Sequence, residues 1–216
     1  MRLVVLKLGG SLLLRPDLPC RLRRVLSELA GSRVLVVVGG GTAADVVRDW
    51  SHAHQLAEES AHWLAVNSLC LTRTLIQRLM PELREVSSPD EGMRYWRASN
   101  SPLLLNVDAF LRHLEPIDPS PLPHTWDVTS DSIAAWVAVR WAADELCLLK
   151  STDLDWKLTV KEARCAGLVD NHFPNVAPQV PLISWCNLAR DEPRRTRWLE
   201  SGNLVPGSTS PVPDLT

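Results

Sequence analysis

Four short runs set the pattern of the chain: 3–8 (LVVLKL), 33–38 (RVLVVV), 102–106 (PLLLN) and 145–150 (ELCLLK). Each is apolar at nearly every position instead of every second one. That is the signature of a strand buried on both faces, as in a parallel sheet covered by helices. Between the runs the spacing changes to that of helices. Leu22, Val25, Leu26 and Leu29 mark a helix from about Cys20 to Ala30, with Gly31 at its C-terminal stop. A long helical region runs from about Ala43 to Met80 and is expected to break once. A short strand is expected around Leu83–Val86, and a loop or short helix around Met93–Trp96. Short helices follow at Asp108–Leu114 and near Val160–Ala166. Ser132–Ala143 is an alanine-rich apolar helix, with Thr129 or Ser130 as its N-cap. Pro181–Trp185 is a strand, Leu188–Leu199 is partly helical, and Gly202–Thr216 is a frayed end. Glu115–His124 holds four prolines and is expected to be a shaped loop near the active edge or a lobe boundary.

The first two strands end alike. Leu3–Leu8 runs into Gly9, Gly10 and Ser11, and Arg33–Val38 runs into Gly39, Gly40, Gly41 and Thr42. Strand, helix, strand makes a βαβ unit with parallel strands, so both glycine loops fall at one carboxyl edge, where open α/β sheets bind ligands. Glycines let backbone approach an anion, a helix start favours negative charge, and Lys7 supplies a compact cation. The alternative on this stretch alone is a strand, a turn and a surface lysine. Neither loop is GxGxxG, and GxxxxGK[ST] is absent, which sets aside a nicotinamide dehydrogenase and a P-loop ATPase.

Composition narrows the classes. The 216 residues suffice for one large domain or two joined lobes, and 45% hydrophobic content excludes global disorder. A net charge of −2 gives no reason for nucleic acid or an anionic membrane as partner. The longest apolar runs are too short for a bilayer, and the start lacks a signal-peptide pattern. Five scattered cysteines without a CxxC pair fit a reduced, cytoplasmic setting, with the thiols acting as small apolar residues; their spacing does not suit zinc. Nine tryptophans stand beside one tyrosine and two phenylalanines and are expected mostly as core or interface anchors.

Chemistry-bearing residues recur at strand ends. The run 145–150 ends in Lys150, then Ser151, Thr152 and Asp153, while Asp131, earlier in the chain, falls in the first turn of the helix that starts at 129–132. The chain has only four lysines, at 7, 150, 157 and 161. His54, Glu58 and His62 stand at i, i+4 and i+8, a possible shared helix face for an acceptor pocket or a metal; the structural alternative is a solvated or inter-subunit face. Arg48, about two turns beyond the second glycine loop, is placed to reach an anionic acceptor, or is simply solvated.

Together Lys7-Leu8-Gly9-Gly10-Ser11, Val38-Gly39-Gly40-Gly41, Thr129-Ser130-Asp131-Ser132 and Lys150-Ser151-Thr152-Asp153 resemble the amino-acid kinase superfamily, in the family's order over most of the chain. Trp126 to Trp136 looks like the methanofuran-pathway group that phosphorylates aminomethylfuran methyl phosphate. The resemblance implies an α/β fold, a three-layer αβα sandwich with a mainly parallel central sheet in a single domain over 1–216. An N-terminal lobe, about 1–125, would bind the acceptor, and a C-terminal lobe, about 126–210, ATP with Mg²⁺. By the same resemblance, Lys7 stabilises the transferring phosphoryl group and Asp131 orients the lysines. Lys150, Lys157 and Lys161 compete as second catalytic lysine, with Lys150 placed first. The N–H groups of Gly9, Gly10 and Ser11 hold ATP phosphates. Ser151, Thr152 and Asp153 line the nucleotide site, and Trp156 either stacks on adenine or is core. Gly39, Gly40, Gly41 and Arg48 serve the acceptor, and no protein metal site is implied. A small-molecule acceptor and a homo-oligomer are expected as partners. Many relatives carry a longer insertion after the segment matching Lys150–Asp153. That shortening keeps open a non-catalytic nucleotide- or oxyanion-binding sensor or store.

Overall fold

The computed structural model describes residues 1–200. The frayed segment expected at Gly202–Thr216 lies outside the described residues. Seven strands form one sheet: β1 (Leu3–Leu8), β2 (Arg33–Val38), β3 (Arg84–Val86), β4 (Leu103–Leu105), β5 (Glu145–Lys150), β6 (Leu182–Asn187) and β7 (Arg195–Glu200), in the order β3-β4-β2-β1-β5-β6-β7. All neighbours are parallel except β7, which runs antiparallel to β6.

The helices are α1 (Leu18–Glu28), α2 (Thr42–His54), α3 (Glu58–Leu79), α4 (Pro89–Ala98), α5 (Val107–Leu114), α6 (Ser130–Arg140), α7 (Val160–Cys165) and α8 (Phe173–Val176). The pleat explains the continuous apolar runs. Val4, Leu6 and Leu8 of β1 pack in one core with Leu22, Val25 and Leu26 of α1. Leu3 and Val5 pack in a second core with Ile133, Ala134 and Val137 of α6 and with Val66 and Leu69 of α3. Two cores on two faces of a mostly parallel sheet make the expected αβα sandwich. None of the described helices is long and apolar enough to cross a membrane.

The break in the long helical region lies at Gln55, whose φ of 47° is left-handed and ends α2. His54 therefore belongs to α2 and Glu58 to the first turn of α3, so the expected His54–Glu58–His62 face does not form: an i, i+4 spacing aligns side chains only along an unbroken helix. Leu188–Leu199 is not helical either. It turns at Leu188–Arg190 and enters β7, where Trp198 is buried and the arginines face outward. Charged side chains are what an edge strand carries, and they hide its period from the sequence. Cys147 and Cys186 are buried in the α1-side core, whereas Cys20 and Cys165 are exposed and do not act as core residues. Trp96, Trp136, Trp141, Trp185 and Trp198 are core, while Trp50 is exposed.

Candidate functional site

The same pleat decides where the strand lysines point. On β1 the odd positions face α6, so Lys7 does too. On β5 Leu146 and Leu148 face α6, so Lys150 does as well. The strands are neighbours, with Lys7 level with Leu148. Asp131, in the first turn of α6, sits opposite both. Lys7 Nζ is 2.8 Å from its Oδ1, and Lys150 Nζ donates to its Oδ2 at 2.7 Å and to the Leu168 carbonyl at 2.8 Å. Lys7 is 3% and Asp131 5% exposed. Two cations on one carboxylate leave this buried cluster with an excess positive charge. Burial works against ionising Asp131, but Lys7 and Lys150 beside it hold its carboxyl below the usual range. Burial, then the charge of Lys7, lowers Lys150 to about 8 in spite of Asp131.

Asp131 is aimed by a residue that sequence reasoning missed. Thr129 is the N-cap of α6 by position, but its side chain caps nothing within the helix. Asp170 does this work from 41 residues away: its Oδ2 accepts from Thr129 N (3.0 Å), Thr129 Oγ1 (2.8 Å) and Ser132 N (2.9 Å). Its Oδ1 accepts from Ser132 Oγ and from Phe173 N. A Gly-Leu-Val-Asp segment carries no local sign of that role. Thr129 and Ser132 instead look like ordinary capping residues.

The glycine loops touch one another. A Cβ on Gly10 would sit 2.1 Å from Gly41 N, and Gly41 itself has φ +55°. These glycines are thus required for close passage of the two loops, beyond any approach to a ligand. Gly9 departs from expectation: its N–H donates to the Leu149 carbonyl at 2.8 Å and is unavailable to a phosphate. The N–H groups of Gly10 and Ser11 open a 3₁₀ turn, Gly10–Leu14, where helical partners are lacking. Ser11 Oγ bonds Ser151 Oγ at 2.9 Å, tying the first loop to the end of β5. Gly39 N–H donates to the Leu8 carbonyl.

The residues expected at a nucleotide are spread out. Asp153 is exposed and paired with Arg190 (2.8 Å) and Asn187 (2.9 Å), and the Arg190 hydrogen bond holds its carboxyl low. The Thr152 carbonyl accepts from Trp185 Nε1. Trp156 is 37% exposed, so it is not core, and Lys157 Nζ lies 5.3 Å from its ring centroid. Lys157 and Lys161 are both exposed, which leaves Lys150 as the lysine beside Asp131.

A pocket of about 230 Å³ opens next to the lysine cluster. Its walls are Gly10, Gly40 and Gly41, the α6 start at Thr129 and Ser130, and the α3 face His62, Ala65, Val66 and Leu69. Arg48 lines it too, paired with Asp45 at 2.8 Å and 5.0 Å from the Trp126 ring centroid. Just past the proline-rich segment Trp126 lines this pocket, and His124, at the segment's end, stacks on the wall residue His62.

No protein-family model matches the sequence, and no curated protein matches it. Solved structures do. The uridylate kinase of Archaeoglobus fulgidus is 21% identical, with a TM-score of 0.51 over 71% of this chain; the match spans 65% of that protein's length. UMP kinase of Ureaplasma parvum is 12% identical over 88% of this chain and 91% of its own, with a TM-score of 0.59. UMP kinase of Bacillus anthracis is 12% identical over 88% of each chain, with a TM-score of 0.62. The fold of this chain is that of the amino-acid kinases.

Proposed function

We propose that this protein is an ATP-dependent phosphotransferase that moves the γ-phosphoryl group to a small anionic acceptor. The observation that carries the reading is the buried Lys7–Asp131–Lys150 cluster at the meeting point of two glycine loops. Two ammonium groups converge there on one carboxylate, with Asp170 acting on Lys150 only from further off, and phosphoryl oxygens complement such a pair of cations. Phosphoryl transfer needs in-line positioning and charge neutralisation more than covalent help. Lys7 and Lys150 would meet the equatorial oxygens, with Asp131 holding both ammonium groups in place. Gly10 and Ser11 N–H groups would hold nucleotide phosphates, with Ser151, Thr152, Asp153 and Trp156 beside them. Gly40, Gly41 and Arg48 would hold the acceptor; an anionic acceptor needs no general base.

The donor set fits ATP and fits Mg²⁺ only as part of the nucleotide. Asp131, Asp153 and Asp170 at this edge are each held by cations or by N–H and O–H donors. Mg²⁺ would therefore be carried on phosphate oxygens, where it neutralises developing charge. The acceptor class named by the fold neighbours is a nucleoside monophosphate. Aminomethylfuran methyl phosphate is the more specific candidate, since Trp126 and the glycine loops offer partners for a ring and a phosphate. A homo-oligomer is part of this reading, supported by exposed Leu71, Leu75 and Leu79 on one stripe of α3.

The brevity of α7 and α8, six and four residues, favours a second reading in which the nucleotide side binds without turnover. ATP consumption with Mg²⁺, against UMP, aminomethylfuran methyl phosphate and small carboxylates, separates the two. Turnover with one acceptor is expected. ATP binding with silence across the panel would favour the sensor, and absence of ATP binding would remove the nucleotide half of the proposal.

A further inference from the structure

His62 is a buried histidine that the phosphoryl-transfer cluster does not use. It is 4% exposed, yet it belongs to the wall of the acceptor pocket, and its Nε2 has no hydrogen-bond partner among the described residues. A buried polar atom without a partner is costly, and natural proteins keep few of them. The cost is tolerated where a ligand supplies the missing bond.

The neighbourhood holds that ring rigidly. His62 stacks on His124 with centroids 4.4 Å apart and planes 13° from parallel, and meets Trp63 edge-on at 5.5 Å. His124 commits both of its nitrogens: Nε2 lies 3.2 Å from Glu115 Oε2 and Nδ1 3.4 Å from Glu59 Oε1. The imidazole in the pocket wall is therefore packed against a second imidazole that lies between two carboxylates. Burial, then the nearby His124, lowers His62 to about 4, so its ring is neutral near pH 7 and reads hydrogen bonds, not charge.

Its position along α3 gives the reach. Leu69 stands at the glycine-loop end of the pocket, where a Cβ on Gly40 would meet it at 3.4 Å. His62 is seven residues earlier on the same face, about 10 Å away at the helical rise. Ala65 and Val66 floor the span between them, and Ile133 and Val128 flank it.

Resting on the kinase reading above, we propose that His62 is the specificity-determining contact for the far end of the acceptor. The acceptor is then an organic phosphate bearing a flat ring with a polar edge about 10 Å from the phosphorus. The anion sits at the glycine loops, the ring lies over Ala65 and Val66, and the ring's polar edge meets Nε2 of His62.

The test uses the full chain labelled with ¹⁵N-histidine, titrated separately with UMP, aminomethylfuran methyl phosphate and inorganic phosphate. One ring-bearing phosphate is expected to move the His62 ring-nitrogen signals, while inorganic phosphate leaves them in place. His62→Phe keeps the stack on His124 and removes the nitrogens. It should weaken that ring-bearing phosphate about tenfold, the scale of one neutral hydrogen bond in a closed pocket, with ATP binding unchanged. His62→Asn, which keeps a polar side chain, serves if the Phe variant does not fold and should lose less. Unmoved His62 signals at saturation, or a His62→Phe affinity within twofold of wild type, would overturn the assignment. So would failure of both ring-bearing phosphates to bind a protein that binds ATP. A shifted His62 signal without ATP turnover would instead sink the kinase reading and leave the acceptor assignment standing.

Discussion

At each end of the β1–β5 pair sits a buried carboxylate clamped by two cations. At the carboxyl edge it is Asp131 between Lys7 and Lys150. At the amino edge it is Glu145, 1% exposed, with Arg2 at 2.6 Å, Arg195 at 3.5 Å and a bond from Ser184. The charge count is the same, but the chemistry differs. Arg2 and Arg195 are partly exposed, so water and the delocalised guanidinium absorb their excess charge. Lys7 is buried and Lys150 nearly so, both end in a compact ammonium, and they are faced by two glycine loops whose N–H groups also favour an anion. An ion cluster becomes a site when its charge is left for a ligand to balance.

The strongest way to break this comparison is to remove each carboxylate. Asp131→Asn should lose about 3–5 kcal/mol of stability, because Lys7 and Lys150 lose the carboxylate between them. Glu145→Gln should lose less, since its arginines can turn to water. Denaturant unfolding of both variants measures the difference, and equal losses would end the distinction.

Next come the cations. Lys7→Ala should leave the fold intact, since Asp131 and Lys150 then form a neutral pair, but cut turnover by about a hundredfold or more. Arg2→Ala should leave turnover unchanged. A phosphoryl-transfer assay paired with thermal melting reads both, and unchanged turnover in Lys7→Ala would refute the role given to Lys7.

The smallest effect is titration. Lys150 stands at about 8, so kcat/KM should fall as pH rises through that value, whereas the arginine end does not titrate. Stability moves the other way. Between about 8 and the ordinary lysine value of 10.5 the unfolded chain binds more protons at this residue than the folded one, so its contribution to stability rises with pH. A flat kcat/KM profile from pH 7 to 9 would remove Lys150 from the reaction.

Much of this was legible in the sequence. Continuous apolar runs announce β1, β2 and β5 because both faces of each strand are covered, and the strand residues Lys7 and Lys150 do meet Asp131 at the start of α6. Three things were hidden because they are made by distant segments. Asp170 caps α6 across 41 residues. His62 acquires its partner from the proline-rich loop, 62 positions later. Gly10 needs to be glycine because Gly41 passes over it, which no local pattern records. Edge strand β7 was missed for a different reason: with one buried side chain and two arginines, it lacks the apolar period that marks a strand.

The place of β1 in the sheet also sets an order of events during synthesis. Its partner β2 follows within forty residues, but its other partner, β5, begins at Glu145. Until β5 has emerged, one edge of β1 is unpaired, and Lys7 and Asp131 are without Lys150. A nascent chain is thus exposed to edge-to-edge pairing through two thirds of its length. It acquires its charge cluster only when its last parallel strands dock, so no shorter intermediate could act before the sheet is closed.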